Sequence, residues 1–167
     1  GTRHLLEACR ALARPPRLVF ASSVAAFGGE LPAILDDSTT PTPQTSYGIQ
    51  KVIGEYLIAE YTRRGFLDGR CLRLPTIVVR PGKPNLAASS FASALFREPL
   101  AGTPYDCPLP DTTGIWLLSP RKVVEAFVHA HELPESAWGT KRVVNLPGIT
   151  VTVRQAVEEL RRIVGAQ

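Results

Sequence analysis

Tyr47 and Lys51 stand four residues apart at the start of a stretch with helical spacing, so one helix face carries both. A free phenol, with a pKa near ~10, is a poor base at neutral pH. An ammonium beside it stabilises the phenolate, and lowering the phenol by ~3 units takes ~4 kcal/mol of differential stabilisation. A second positive charge, such as that of an oxidised nicotinamide ring, would help. A Tyr and Lys pair beside such a ring could remove the proton of a substrate alcohol as hydride leaves its carbon. A pair at this spacing is common on exposed helix faces. What gives this one chemical weight is Ser22-Ser23, inside the run Ala21-Ser22-Ser23-Val24-Ala25-Ala26-Phe27-Gly28, where a hydroxyl can orient the same alcohol.

The elements that must position these groups follow from periodicity and punctuation. Leu5, Leu6, Cys9 and Leu12 fall on one face of a helix over 1–14, stopped at Arg14-Pro15-Pro16. Residues 18–22 form a short apolar run, as in a strand buried on both faces of a parallel sheet, with Ser22 and Ser23 at its carboxyl end. A loop over 28–45 leads to a helix over 47–64, capped by Thr45 or Ser46 and ended by Gly65, with Ile53, Leu57, Ile58 and Tyr61 as its apolar stripe. A strand is expected over 70–79, then a helix over 87–97, a long loop over 99–113 and a strand over 114–118. Ser119-Pro120 opens a helix through Glu132. One more strand is expected over 142–146, and Thr152 and Gln155 fit a capping box that opens a helix ending at Gly165. Alternating strands and helices predict an α/β fold with a parallel sheet, whose ligand crevice lies at the carboxyl ends of the strands.

The rest of the composition narrows the classes. The chain has 167 residues, 44% of them hydrophobic, enough for one domain with a buried core. It holds no apolar run long enough to span a membrane and no recognisable leader, which makes a cytoplasmic protein the expectation. Three well-separated cysteines without a C-x-x-C pair speak against a disulfide framework and a zinc site. His129 and His131, two residues apart on a helix, point in nearly opposite directions and cannot chelate together. A net charge of +4, from 19 basic and 15 acidic residues without a basic block, favours anionic small ligands over nucleic acid.

Taken together, the Ser, Tyr and Lys segments resemble the extended short-chain dehydrogenase/reductases, the NAD(P)-dependent epimerase/dehydratase family, along essentially the whole chain. Residues 1–9 are similar to the helix before that family's serine strand. Ser22-Ser23 with Phe27-Gly28 is similar to its serine segment, Ser46-Tyr47-Gly48-Ile49-Gln50-Lys51 to its active-site helix, and Leu72-Arg73-Leu74-Pro75-Thr76 to the strand and turn lining the nicotinamide. The resemblance implies Ser23 as the substrate-orienting serine with Ser22 as fallback, Tyr47 as general base, and Lys51 as its electrostatic partner and ribose ligand. It also implies that backbone at Pro75 and Ile77 holds the nicotinamide carboxamide of NAD, with NADP not excluded. Within the family, residues 43–48, 74–85 and 88–91 are most similar to the branch that oxidises the 2-hydroxyl of D-erythronate-like sugar acids to 2-oxo acids. Sugar-nucleotide members usually carry Asn-x-Tyr-Gly after the Arg-Leu turn. Here Thr76 to Arg80 reads Thr-Ile-Val-Val-Arg, and an arginine there could clamp a carboxylate bidentately. Thr76, Arg80 and Asn85 are therefore substrate-binding candidates, with Ser89, Ser90 and Arg121 weaker ones. A salt bridge or cap at a strand end is the competing reading of Arg80.

The family's glycine-rich pyrophosphate turn and the acidic ribose-binding residue have no counterpart here, since Gly28-Gly29 leads into a loop rather than a helix. By the family pattern the chain is the carboxyl-terminal part of a Rossmann-like doubly wound sheet plus a small α/β substrate-binding region. Residues 1–82 form a partial Rossmann domain, and 83–167 are mainly the substrate-binding region, interleaved with it. The resemblance also implies a homodimer through helices 1–14 and 47–64. A sugar-nucleotide epimerase or dehydratase, or a truncated protein without catalysis, are the alternative functions.

Overall fold

The computed structural model describes residues 1–80 and 89–165. In chain order the elements are α1 (Thr2–Arg10), β1 (Arg17–Ser23), a 3₁₀ turn (Val24–Ala26), α2 (Ser46–Arg63), β2 (Asp68–Leu74), β3 (Thr76–Ile77), α3 (Ser90–Leu100), β4 (Gly114–Leu118), α4 (Pro120–Glu132), α5 (Glu135–Trp138), β5 (Val143–Asn145), β6 (Ile149–Thr152) and α6 (Val153–Val164). They belong to two compact units, Gly1–Leu74 with Val124–Leu146, and Pro75–Val123 with Pro147–Gln167. Among the described residues no helix is long and apolar enough to cross a membrane.

The first unit holds a three-stranded sheet in the order β1-β2-β5, parallel throughout. Its register sets Ser22 beside Arg73, and Arg73 beside Asn145, so the carboxyl ends of the three strands lie together. Leu6 and Cys9 of α1, Ile58 of α2, Leu67 and Cys71 form the core, with Phe20 and Leu18 packed against them. Burial pushes the Cys71 thiol up to about 12, with the charge of Glu55 acting in the same direction and that of Arg73 opposing it.

Two expected stripes are redrawn by this packing. Leu5 and Leu12 of the first helix pattern and Ile53 of the second are exposed rather than facing the core. On α2 the buried residues are Gly48, Val52, Gly54, Glu55 and Ile58. The reason is distance: a Cβ on Gly54 would sit 2.8 Å from the Phe20 ring, and one on Gly69 of β2 would sit 2.3 Å from Ile58 Cγ2. The helix lies too close to the sheet for larger side chains at those positions, so its bulk is left on the outer face.

One carboxylate ties this unit's elements together. Asp68 accepts from Arg70 Nη2 at 2.6 Å, Arg142 Nη1 at 3.0 Å and Arg17 Nε at 3.2 Å. The fully buried Arg70 also donates to the carbonyls of Ala130 and Leu133, at the end of α4. Burial pushes the Asp68 carboxyl up, but the hydrogen bonds of Arg70 and Arg17 and the charges of Arg70 and Arg142 outweigh it and hold it below its ordinary value. A carboxyl depressed in the folded state contributes stability above its unfolded pKa and loses it as pH falls through the folded one. Urea midpoints should therefore drop below about pH 4, and Asp68→Asn should flatten that acid limb while lowering the plateau above it.

The second unit has the sheet order β3-β4-β6, with β3 parallel and β6 antiparallel to β4. Its core is Ala92, Leu95, Ile115, Leu117, Val153 and Ala156. The strand expected over 70–79 is thus two strands in different sheets. Pro75 has no N–H for the β2 ladder, and beyond it Thr76–Ile77 pairs with Leu117 and Leu118 of β4. β6, absent from the sequence expectation, follows Gly148, where a Cβ would come within 2.6 Å of the Leu117 carbonyl oxygen. The capping box at α6 forms as expected: Gln155 N–H donates to Thr152 Oγ1 at 3.1 Å, and Thr152 N–H to Gln155 Oε1 at 2.8 Å.

Candidate functional site

Thr45 opens α2, its hydroxyl accepting from Gly48 N–H at 3.0 Å. That cap sets Tyr47 in the first turn, where it is 56% exposed, with Lys51 one turn on along the same face. Lys51 Nζ stands 5.4 Å from the centre of the Tyr47 ring and 5.0 Å from that of Phe20, and it donates to the Ala21 carbonyl at 2.7 Å. An ammonium has three donors, so two remain for hydroxyls of a ligand.

The serines at the end of β1 are placed very differently. Ser22 is 1% exposed and donates its hydroxyl proton to Glu55 Oε1. Ser23 is half-buried, and its Oγ accepts from Ala25 N–H at 3.1 Å as the cap of the 3₁₀ turn, which leaves its own O–H to donate elsewhere. That turn carries Ser23 to α2, because the Ala25 carbonyl lies against Gly48, where a Cβ would stand 2.0 Å from the oxygen. Lys51 on Ala21 and Gly48 against Ala25 thus pack the start of α2 on both sides of the Ser22-Ser23 segment, while the Ser22 side chain is drawn inward.

Pro75, Thr76, Ile77 and Arg80 belong to the second unit. Arg80 N–H donates to the buried Ser93 Oγ at 3.1 Å, and its carbonyl accepts from Arg97 Nη1 at 3.2 Å. Its guanidinium reaches Ser89 Oγ at 3.5 Å and pairs with no carboxylate among the described residues. Asn85 lies outside the described residues.

Sequence reasoning passed over three residues that shape this site. Glu55 is 3% and Arg73 is 5% exposed, and they form a two-bond ion pair beneath Ser22. Gly48 makes room for Ala25. The available signal was spacing, since Tyr47, Lys51 and Glu55 follow at four-residue steps along one side of the helix.

Donors left on Lys51 and an exposed phenol beside them suit the ribose and reacting end of a nicotinamide cofactor. The comparisons with known proteins bear on the same point. The sequence pattern of the NAD dependent epimerase/dehydratase family matches residues 1–146. The chain is 57% identical over 165 residues to a D-erythronate dehydrogenase of Cupriavidus necator, covering 99% of this chain and 51% of that protein. It is 49% identical to a D-erythronate dehydrogenase of Haemophilus influenzae, over 99% of this chain and 52% of that one. Among solved structures, a nucleoside-diphosphate-sugar epimerase from Agrobacterium tumefaciens superimposes with a TM-score of 0.92 at 43% identity, covering 99% of this chain and 49% of its own. The chain spans about half the length of the curated relatives it matches.

Proposed function

Since the chain belongs to the NAD dependent epimerase/dehydratase family, we propose that it is the catalytic and substrate-binding portion of a dehydrogenase that oxidises the 2-hydroxyl of a small sugar acid, D-erythronate or a close analogue, to the 2-oxo acid. The observation that supports this reading is the Tyr47 and Lys51 pair in the first turns of α2, the helix that packs at Gly48 against the turn following Ser23. Bound at Lys51, oxidised NAD would supply the hydride acceptor and a positive charge near the phenol. Lys51 would hold the ribose and sets a positive charge beside the Tyr47 ring. Ser23 donates its O–H to the substrate oxygen and orients the alcohol. Tyr47 takes the hydroxyl proton as the C–H bond breaks, which leaves a carbonyl where the alcohol stood. Backbone at Pro75 and Ile77 is assigned to the carboxamide, and Thr76 to substrate.

The carboxylate of the sugar acid falls to Arg80, whose guanidinium has no carboxylate partner among the described residues. The relatives named D-erythronate dehydrogenase support that choice of substrate. The competing reading, a sugar-nucleotide epimerase or dehydratase, draws its support from the name of the Agrobacterium structure. In the whole protein, NADH formation with D-erythronate should separate the two. Arg80→Gln should raise KM for the acid about 10–100-fold, the loss of one charged hydrogen-bonded contact, with kcat little changed. An unaltered KM would remove Arg80 from the substrate site, and turnover of a sugar nucleotide in place of the acid would favour the second reading. We further assign the protein to the cytoplasm and its working form to a homodimer through the segments 1–14 and 47–64, of which α1 and α2 form the helical parts and on which Leu5, Leu12, Ile49, Ile53 and Tyr56 are exposed.

A further inference from the structure

We propose that Glu55 and Arg73 are positioning residues for the reaction, a buried ion pair that sets both the roll of α2 and the course of the chain through Ser23. The proposal rests on the functional reading above and adds residues which that reading does not use.

Glu55 is the only acidic residue among the side chains that α2 buries. Both its oxygens are occupied: Arg73 Nε donates to Oε1 at 2.9 Å and Nη2 to Oε2 at 2.7 Å, and Ser22 donates to Oε1 as well. The two-point fork fixes direction as well as distance. It joins the helix of Tyr47 and Lys51 to β2, and through Ser22 to the last residues of β1. The Arg73 guanidinium also stands over Phe27, with Cζ 4.9 Å from the ring centre, at the exit of the 3₁₀ turn. The segment 22–27 is thus held at both ends by one buried pair, and Ser23 stands between the two holds.

Hydrophobic burial alone sets the rotation of α2 weakly. Its apolar side chains lie on both sides, Val52 and Ile58 inward and Ile49, Ile53 and Tyr56 outward. Gly48 and Gly54 set how closely α2 approaches its neighbours, but they make no directed bond, so a small roll about that contact is left to other groups. A charge that must meet Arg73 makes such a turn costly, and because Tyr47, Lys51 and Glu55 follow at four-residue steps, the register of Glu55 is also that of the base and its cation. A buried ion pair adds little net stability once desolvation is counted, so its value here lies in selecting one arrangement.

The test uses Glu55→Met combined with Arg73→Met, which removes both charges and leaves neither buried alone. Hydrogen exchange is read at the Ala25 amide, the donor to Ser23 Oγ, in the chain without ligand. Urea unfolding measures stability on the same sample. The expected result is unchanged stability with Ala25 exchange at least about tenfold faster, because the opening is local. In the whole enzyme kcat should fall about 10²-fold, the effect of a misplacement of ~1 Å, with KM for the acid little changed. If Ala25 protection and kcat are retained in the folded double variant, the pair is structural and the proposal is overturned. Should the double variant not fold, Glu55→Gln, which keeps the shape and an acceptor for Ser22, takes its place under the same two criteria. Exchange at Ala25 needs no substrate, so it reports on positioning even if D-erythronate proves to be the wrong acid.

Discussion

Tyr47→Phe is expected to lower kcat by about 10³-fold, within the range by which positioned proton transfer contributes, and to leave the fold untouched. The side chain is 56% exposed and no hydrogen bond to its hydroxyl occurs among the described residues, so removing one oxygen opens no cavity and strands no buried partner. Stability should stay within about 0.5 kcal/mol of the parent, as for surface changes away from special features. The phenylalanine ring keeps its place 5.4 Å from Lys51 Nζ, so KM for the acid should move little. A loss confined to kcat is the sign of an interaction made in the transition state. Steady-state NADH formation by the whole protein, with thermal unfolding of the same sample, checks both halves. If more than about a tenth of the activity survives, the proton passes to another group, and Ser23, the hydroxyl assigned to orient the alcohol, becomes the residue to vary.

Why Tyr47 and Lys51 could be read from the sequence, and Glu55 and Arg73 could not, is a matter of range. The first pair needs only the helical repeat, and a local hydrogen bond from Thr45 fixes where that repeat begins. The same holds for α6, opened by Thr152 and Gln155, and for α4, opened at Pro120 after Ser119. Those features are decided by neighbours within four residues. Glu55 and Arg73 lie on different elements, and a charged residue within a helix ordinarily faces water, so the four-residue step from Lys51 to Glu55 says neither that Glu55 is buried nor that Arg73 is its partner. The strand expected over 70–79 failed for a similar reason. Its apolar pattern is continuous through Pro75, and only sheet pairing reveals that Thr76–Ile77 joins β4 rather than β5. Burial also misled where the approach was close: Ile53 has the type of a core residue, but small residues at 48 and 54 are what the 3₁₀ turn and β1 admit.

Gly48→Ala should be the most damaging conservative change in the first unit, and its sign makes it diagnostic. In an open helix the substitution favours folding by about 1 kcal/mol, since alanine restricts the unfolded chain and suits the helix better. Here the new Cβ would lie 2.0 Å from the Ala25 carbonyl oxygen, 2.9 Å from its carbon and 3.0 Å from Pro43 Cβ. The nearest of these atoms are backbone, and the backbone is the 3₁₀ turn that follows Ser23, so no side-chain rotation can relieve the clash. Either α2 lifts by more than an ångström or the turn is pushed away, and each movement separates Ser23 from Tyr47. Overpacking of this kind costs about 3 kcal/mol, the upper end for an added methyl group that backbone must accommodate. Misplacement on that scale should also take about 10²-fold from kcat in whatever fraction remains folded. Gln50→Ala, on the exposed side of the same turn, serves as the control and should lie within about 0.5 kcal/mol of the parent. A Gly48→Ala chain as stable as the parent would mean that the first turn of α2 does not rest on Ala25. The arrangement of Ser23, Tyr47 and Lys51 would then lose its physical support, whatever the activity assays gave.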